Sequence, residues 1–368
     1  MLSVVHLCTD FWPSTGGIEQ FVGNLAQRSA VKGVRVTVLC FNRTKGIAGR
    51  LAAEETLDSV AIKRIPFVDL TYYKPSVIPL SIIRSHDIVH VHGIGAQLDS
   101  IALSKWVHRR PIVVSTHGGI FHTPTLGAVK RLYFNHFLRH VVRQVDVIAA
   151  CSQSDASLFR TISDRVSLFE NAVNVEPYLA LTGTRKQRGR CLCVGRLSDN
   201  KRIDLLLRAA AVAHSQGSEF DLRLVGPDVQ GKRGQYERIA NALGIANLVS
   251  FVGEVSGRSL LEEFDLAETF VSASQYEGFG ISAIEARAAG CRLLLHGNEA
   301  FRSLFESDSA ATLVDFTNPE LAGREFSRLL GQLPDPAILE TRRATQAFSW
   351  DRKITEWLEL YERLNRLS

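Results

Sequence analysis

The sequence lacks any run of about 18 apolar residues, so no helix long enough to span a bilayer is expected. It lacks G-x-G-x-x-G, which removes support for dinucleotide binding. It lacks Asp-x-Asp, so nothing suggests a metal holding a diphosphate, and Lys and Arg would have to neutralise one. Met1-Leu2-Ser3-Val4-Val5 leads straight into a buried-strand pattern, with no basic n-region and no signal peptide cleavage site. A cytoplasmic location is therefore expected. Internal repeats and low-complexity tracts are also missing. Cysteine is sparse: Cys8, Cys40, Cys151, Cys191, Cys193 and Cys291 lie in or beside apolar strand-like runs. Cys191 and Cys193 share a strand face, and no second Cys/His pair sits at zinc-finger spacing, so reduced core thiols are expected.

What is present is the composition of a soluble globular enzyme, 45% hydrophobic and 22% charged. At 368 residues the chain exceeds one ordinary core, and two domains are expected. Charge is uneven. Residues 1–172 hold 19 Lys and Arg against 12 Asp and Glu, while the remainder holds 24 against 26. A basic first half hints at an anionic partner such as a lipid headgroup or membrane surface.

Both halves alternate short apolar strands with longer amphipathic helices. Strands are expected at Ser3–Leu7, Arg35–Phe41, Ile88–Val91, Ile112–Ser115 and Val147–Ala150, then at Arg190–Val194, Asp221–Val225, Val249–Val252, Thr269–Ala273 and Arg292–His296. Helices are expected at Ile18–Lys32, Leu126–Arg143, Ile203–Gln216, Gln235–Leu243, Ser256–Phe264 and Ile281–Ala289. This βαβ alternation predicts an α/β protein with parallel sheets covered on both faces. The polar, basic stretch Thr182–Gly189 reads as a linker. The expected domains are 1–172 and 173–348, with 349–368 as a last helix. Two doubly wound domains would place ligands at the carboxyl ends of their strands.

Several patterns could carry chemistry. Tyr276-Glu277-Gly278-Phe279-Gly280 is followed eight residues later by Glu285, with a helix expected to start near Ile281. Its N-terminal amides would favour a diphosphate, and the two carboxylates, about 12 Å apart if the segment were fully helical, could bind opposite ends of a sugar nucleotide. In isolation the pair also reads as a loop glutamate and an exposed helix glutamate. Arg196 and Lys201 lie between a strand and a helix, where they could stabilise a departing diphosphate or form a solvated basic loop. Ser14-Thr15-Gly16-Gly17-Ile18-Glu19 resembles an anion-binding turn and equally a plain helix-opening turn. His117, in Ser115-Thr116-His117-Gly118-Gly119 after a strand, could bond a sugar hydroxyl or be structural. His86, His90, His92, His108, His136 and His140 show no metal-ligand spacing. Finally, Lys130, Arg131, Arg139 and Arg143 interleave with aromatics after Trp106, His108, Arg109 and Arg110. That suits an anionic membrane surface or a diphospholipid, or else a core helix with a charged outer face. No nucleic-acid motif accompanies the charge.

In order, Gly16-Gly17, His117, Arg196 with Lys201, then Glu277 and Glu285 resemble the GT4 family of retaining glycosyltransferases across essentially the whole chain. Phe169-Glu170-Asn171-Ala172, Leu224-Val225-Gly226 and Val249–Gly253 add to the likeness. Two departures are Ala172 in place of the usual glycine and Ser272-Ala273-Ser274 in place of Pro-Ser. The resemblance implies the GT-B fold, two Rossmann-like doubly wound domains facing a central cleft with the last helix returning to the first domain, and metal-independent transfer. More narrowly, Asp10–Glu19 and Cys151-Ser152-Gln153-Ser154-Asp155 look like the bacterial α-mannosyltransferases of xanthan- and acetan-type exopolysaccharide assembly. Those take GDP-mannose and add an α-1,3-linked mannose to cellobiosyl-diphosphopolyprenol.

By that resemblance, Glu277 would hold sugar hydroxyls and Glu285 the ribose. Arg196 and Lys201 would stabilise the departing GDP, and His117 would contact the sugar near the anomeric centre. Gly16 and Gly17, with Gly278, Phe279 and Gly280, would let backbone approach the donor. Ser152 is a further candidate, though a strand-end serine commonly caps a helix. No cofactor is implied beyond the nucleotide sugar as substrate. The expected partners are a polyprenyl-diphosphate-linked glycan and an anionic membrane, with peripheral attachment to the inner face of the cell membrane and no nucleic acid. The alternatives are a UDP-sugar donor with a lipopolysaccharide core or phosphatidylinositol acceptor, a nucleotide-sugar epimerase, or a carbohydrate- or lipid-binding module.

Overall fold

The computed structural model describes residues 1–14, 16–44, 49–71, 73–118, 127–332 and 336–367. Contacts divide the chain into two compact units. One is Met1–Ala172 together with Asp351–Ser368; the other is Val173–Trp350.

The first unit is built on an eight-stranded sheet. Its strands are β1 (Ser3–Leu7), β2 (Arg35–Phe41), β3 (Glu54–Leu57), β4 (Val60–Ile65), β5 (Ile88–His92), β6 (Ile112–Ser115), β7 (Val147–Ala150) and β8 (Val166–Leu168), in the order β3-β4-β2-β1-β5-β6-β7-β8. Among the described strands of this sheet, only the β3–β4 pairing is antiparallel. Strands β1, β5, β6 and β7 are buried along their whole length, as strands covered on both faces should be, with His6, His90 and His92 set among their Val and Ile. Val5, Leu7, Val89, Val91, Val114 and Ile148 join Phe134, Leu138, Val141 and Phe159 in one core cluster. The C-terminal helix Trp350–Leu367 belongs to this unit from Asp351 onward. Its Trp357 ring lies 4.5 Å from Phe169 and 4.9 Å from His90.

The second unit holds a six-stranded, all-parallel sheet. Its strands are β9 (Gln187–Val194), β10 (Asp221–Val225), β11 (Val249–Gly253), β12 (Ala267–Ser272), β13 (Arg292–His296) and β14 (Ala311–Val314), ordered β11-β10-β9-β12-β13-β14. Apolar clusters cover both faces. One gathers Leu206, Leu222, Phe316 and Phe326; the other gathers Phe264, Phe270, Ile284 and Phe301.

In each sheet the chain winds outward one way and then reverses. The reversal falls between β1 and β5 in the first sheet and between β9 and β12 in the second. Such a switch point leaves a crevice at the carboxyl ends of the strands, where ligands of open α/β sheets bind.

All ten expected strands are present, within a few residues at their ends. Four strands were not expected: β3, β4, β8 and β14. The polar stretch Thr182–Gly189 is not a free linker. Gln187–Gly189 already belong to β9, Arg185 Nη1 is 2.9 Å from Asp265 Oδ2, and Lys186 Nζ donates to the Phe264 carbonyl at 2.8 Å. Arg185 and Lys186 are therefore bonded to neighbours within the second unit. The expected helix from Leu126 also differs. Leu126 lies outside the described residues, and the rest divides into an α-helical turn Gly127–Leu132, a π-helical turn Tyr133–Leu138 and the short turns Arg139–Val141 and Val142–Gln144. All six cysteines are buried and free, as expected.

Candidate functional site

At the switch point of the second sheet, the loop after β9 meets the loop after β12. Gly195 and Gly226 follow the neighbouring strands β9 and β10 with φ of 154° and 144°. A Cβ on Gly226 would stand 2.1 Å from the Gly195 carbonyl oxygen, so only glycine lets these strand ends approach so closely. The Leu197 N–H then donates to Pro227 O at 2.9 Å, and the Gln275 N–H donates to Asn200 O at 2.9 Å. The first bond ties the loop after β9 to the loop after β10, and the second ties it to the loop after β12. The result is that Lys201 Nζ lies 2.6 Å from Glu277 Oε1, with both side chains about five-sixths buried. A charge-assisted bond this short, screened from water, is far stronger than a surface pair. Arg196, on the same loop, is exposed and makes no ion pair among the described residues.

Beyond Glu277, Phe279 is buried against Phe348, with ring centroids 5.7 Å apart. Gly280 takes φ 97° at the start of the helix Ile281–Ala288. A Cβ there would meet Phe301 Cε1 at 2.9 Å, so a side chain is excluded by both space and backbone. The helix starts where the sequence predicts. Glu277 lies before it, so the fully helical spacing assumed between Glu277 and Glu285 does not hold. Glu285 sits in the helix's second turn, mostly buried. Burial pushes its carboxyl up to about 7, against the opposing pull of a hydrogen bond with Tyr178.

The first unit gathers a different set at its own switch point. His6 on β1 pairs in register with His90 on β5, and His92 pairs with Ser115 on β6. His6 Nδ1 lies 2.9 Å from His92 Nε2, and His92 Nδ1 lies 3.0 Å from His117 Nε2. His90 bonds instead to the Tyr361 hydroxyl at 2.6 Å and to Ser115 Oγ at 2.8 Å. Burial lowers every one of these imidazoles, His6 to about 3 and His117 to about 4, so all are neutral. His6, His90 and His92 each offer a nitrogen within 4.8 Å of the others, a grouping compact enough for one metal ion. Their spacing in the sequence does not announce it.

His117 has φ 51°, a left-handed conformation that costs energy for a residue with a side chain. Buried Asp155 holds it there. Its Oδ2 accepts from Thr116 Oγ1 at 2.5 Å and from the Gly118 N–H at 3.0 Å, on either side of His117. Gly119 lies outside the described residues. Ser152 acts as a helix cap, its Oγ accepting from the Asp155 N–H at 3.2 Å. At the same carboxyl end of β1, the helix Gly17–Val31 opens after Gly16, with Thr15 outside the described residues and the Phe21 ring 5.0 Å from that of His117. The Glu19 carboxylate folds back so closely that a Cβ on Gly16 would meet Oε2 at 2.2 Å. The helix end is thus faced by its own carboxylate rather than left open for an anion.

Two sequence families match in tandem: Glycosyltransferase Family 4 over residues 15–177 and Glycosyl transferases group 1 over residues 180–343. A GDP-mannose:cellobiosyl-diphosphopolyprenol alpha-mannosyltransferase of Komagataeibacter xylinus is 30% identical, covering 99% of this chain and 93% of the relative. The chain belongs to glycosyltransferase family 4. A relative of the same name in Xanthomonas oryzae pv. oryzae is also 30% identical, over 98% of this chain and 96% of its own length. Among solved structures, a sucrose-phosphate synthase of Thermosynechococcus elongatus superposes with a TM-score of 0.76 at 19% identity, covering 100% of both chains. A glycosyltransferase of Rickettsia africae gives 0.77 at 16% identity, over 100% of this chain and 99% of its own. The two Rossmann-like units are those of the GT-B fold.

For a family 4 glycosyltransferase, one more surface stands out. Arg131, Arg139 and Arg143 are exposed along 127–144, and Lys130 is half-buried. Leu132 and Phe137 are exposed beside them, while Phe134, Leu138 and Val141 anchor the segment in the core. Trp106 is 79% exposed, and it lines a shallow pocket with Leu103, His140 and Arg143. Among the described residues no helix is long and apolar enough to cross a membrane. Sequence reasoning missed Asp155 as the mooring of His117, Tyr178 as the partner of Glu285, and His6 altogether, and it set His92 aside for want of metal-ligand spacing. The alternation His90-Val91-His92, running one residue past the expected strand Ile88–Val91, was the available signal, because residues two apart share a face.

Proposed function

We propose that this glycosyltransferase moves mannose from GDP-mannose to a polyprenyl-diphosphate-linked cellobiosyl acceptor, forming an α-1,3 link in exopolysaccharide assembly. The observation that carries the reading is the 30% identity, over almost the full length, to GDP-mannose:cellobiosyl-diphosphopolyprenol alpha-mannosyltransferases.

The proposed chemistry is a substitution with retention and without metal. The bond from the mannose anomeric carbon to the phosphate oxygen breaks, and GDP leaves with the bonding electrons. The acceptor hydroxyl oxygen bonds to that carbon on the same face, and its proton passes to the departing phosphate oxygen. No covalent sugar–enzyme intermediate forms.

Lys201 and the exposed Arg196 balance the charge growing on the diphosphate. The Lys201–Glu277 bond supports this reading, because it holds the ammonium in place before any donor arrives. Glu277 accepts hydrogen bonds from mannose hydroxyls with its other carboxylate oxygen. The first amides of Ile281–Ala288 face the diphosphate, with Gly278, Phe279 and Gly280 leading into them. Glu285 binds the ribose diol, whose two donors stabilise the carboxylate that burial disfavours. His117 contacts the mannosyl group. Gly16 and Gly17 line the approach to the diphosphate once Glu19 swings aside. The Arg131, Arg139 and Arg143 face, with Leu132, Phe137 and Trp106, docks on an anionic membrane that carries the acceptor.

The direct test is product analysis with GDP-mannose and cellobiosyl-diphosphopolyprenol. An α-linked trisaccharide lipid that persists in a chelator is the expected product. Turnover with UDP-sugars alone would defeat the donor assignment, and a β-linkage would defeat retention.

A further inference from the structure

The imidazoles of His6, His92 and His117 form a single chain of two hydrogen bonds, from His6 Nδ1 to His92 Nε2 and from His92 Nδ1 to His117 Nε2. Two nitrogens lie at its ends. The inner one, His6 Nε2, is buried and has no hydrogen-bond partner among the described residues. The outer one is His117 Nδ1. His90 stands in the same stack, with its ring centroid 4.1 Å from that of His92, yet its own nitrogens bond to Tyr361 and Ser115 and not to the chain.

A neutral imidazole carries one proton, and each N···N bond needs one proton between its two nitrogens. Three neutral rings joined this way have only two arrangements. In the first, every ring is protonated on Nδ1. His6 then donates to His92, His92 donates to His117, and His117 presents an N–H at its outer end. In the second, every ring is protonated on Nε2, and His117 presents a lone pair. The arrangements differ in what they leave in the core at His6 Nε2: a lone pair in the first, an N–H without an acceptor in the second. Orphaned buried N–H groups are the rarer of the two in folded proteins.

We infer that His92, backed by His6, is a positioning residue that fixes His117 as an Nδ1–H donor, offered to an oxygen of the nucleotide sugar. This rests on the reading of His117 as a sugar-contacting residue. A proton-bearing nitrogen suits an oxygen on which negative charge grows as the glycosidic bond breaks. The sealed inner end matters as much as the outer one. With no partner at His6 Nε2 the chain cannot take up or release a proton there, so it sets a tautomer and does not conduct protons. The backbone agrees, since Asp155 grips both neighbours of His117 and holds its left-handed φ. Side chain and main chain of His117 are thus fixed by two independent sets of bonds.

The test is nitrogen-15 NMR of the histidine-labelled full chain without ligand, with His117 assigned from the spectrum lost in His117→Gln. The expected wild-type signature is Nδ1 protonated and Nε2 bare. His92→Phe keeps an aromatic ring in the stack and removes both bonds. It should mix the His117 tautomers and lower kcat for mannosyl transfer about 10- to 100-fold, with the KM for GDP-mannose little changed. His92→Gln, whose amide can still donate to His117 Nε2, should keep the tautomer and most of the rate. His90→Phe should leave the tautomer as it is. Wild-type His117 protonated on Nε2 would overturn the inference. So would a His92→Phe tautomer identical to wild type, or stoichiometric zinc held by the three histidines. If wild type transferred no mannose, the functional reading would fail while the tautomer result stood on its own.

Discussion

The two units carry opposite kinds of candidate site at equivalent places in their sheets. The second has a shielded ion pair, Lys201 with Glu277, at the β9/β12 switch point. The first has a neutral imidazole chain at the β1/β5 switch point. Yet the first 172 residues are the basic part of the chain, and the remainder is close to neutral. Net charge therefore does not locate the chemistry. In the first unit Arg131, Arg139 and Arg143 are exposed along 127–144, a stretch without acidic residues, where they can meet a large anionic partner. In the second, a few charges are desolvated and held in place, where each counts for more.

Breaking the charged site should have the largest effect. Lys201→Ala is expected to cut kcat/KM about 1,000-fold. It should also cost stability, up to about 3 kcal/mol, because Glu277 is left shielded and unpaired. Adding Glu277→Gln should return the stability and leave transfer dead. Urea melts and steady-state kinetics on the three variants read both quantities.

Glu285 sharpens the contrast, since it is a charge the fold resists. Its carboxyl titrates near 7 in the folded chain and at an ordinary carboxylate value when unfolded. Between the two, the folded state binds more protons, so stability falls as pH rises through that window and the loss is complete above about 7. Glu285→Gln should therefore melt higher than wild type at pH 8 and close to it at pH 4.5, while the KM for GDP-mannose rises about 100-fold. In wild type that KM should fall as pH rises through 7. A flat difference in melting temperature between pH 4.5 and 8 would contradict the assignment.

On the neutral side, Asp155→Ala should lower kcat about tenfold and cost about 2 kcal/mol, by removing the carboxylate that grips both neighbours of His117 and letting His117 relax. The smallest effect on chemistry belongs to the surface. Arg139→Glu with Arg143→Glu should weaken binding to anionic vesicles at least tenfold, at about 1 kcal/mol per charge near a membrane. Turnover of a water-soluble acceptor analogue should stay within twofold, as sedimentation and kinetics together would show.

The parts of the fold written in long apolar runs were legible. Val4–Leu7, Val36–Phe41 and Leu293–Leu295 could hardly be anything other than buried strands. The edge strand β3, whose Glu54, Glu55 and Thr56 face solvent, offers no such signal. Strand β4 alternates buried and half-buried residues, with Lys63 and Arg64 inside it. Arg64 is almost fully buried, its Nη1 and Nη2 bonded to the carbonyls of Ala52 and Trp12 and to Glu55, partners that only tertiary structure provides. The same holds for the linker reading of Thr182–Gly189, which failed because Asp265 waits some eighty residues away. In the candidate site, glycines and catalytic-type charges could be read from spacing. The imidazole chain could not, because it joins residues from β1, β5 and the loop after β6.

The helix Trp350–Leu367 gives the chain an unusual order of completion. Its Tyr361 and Trp357 cover the histidines of a sheet whose strands all precede residue 169. During synthesis the sheet emerges early but must wait through the whole second unit for this lid of aromatic side chains. The second unit, whose residues are contiguous, can finish first. A nascent chain stalled before residue 350 would hold one finished domain and one whose histidine stack is still uncapped.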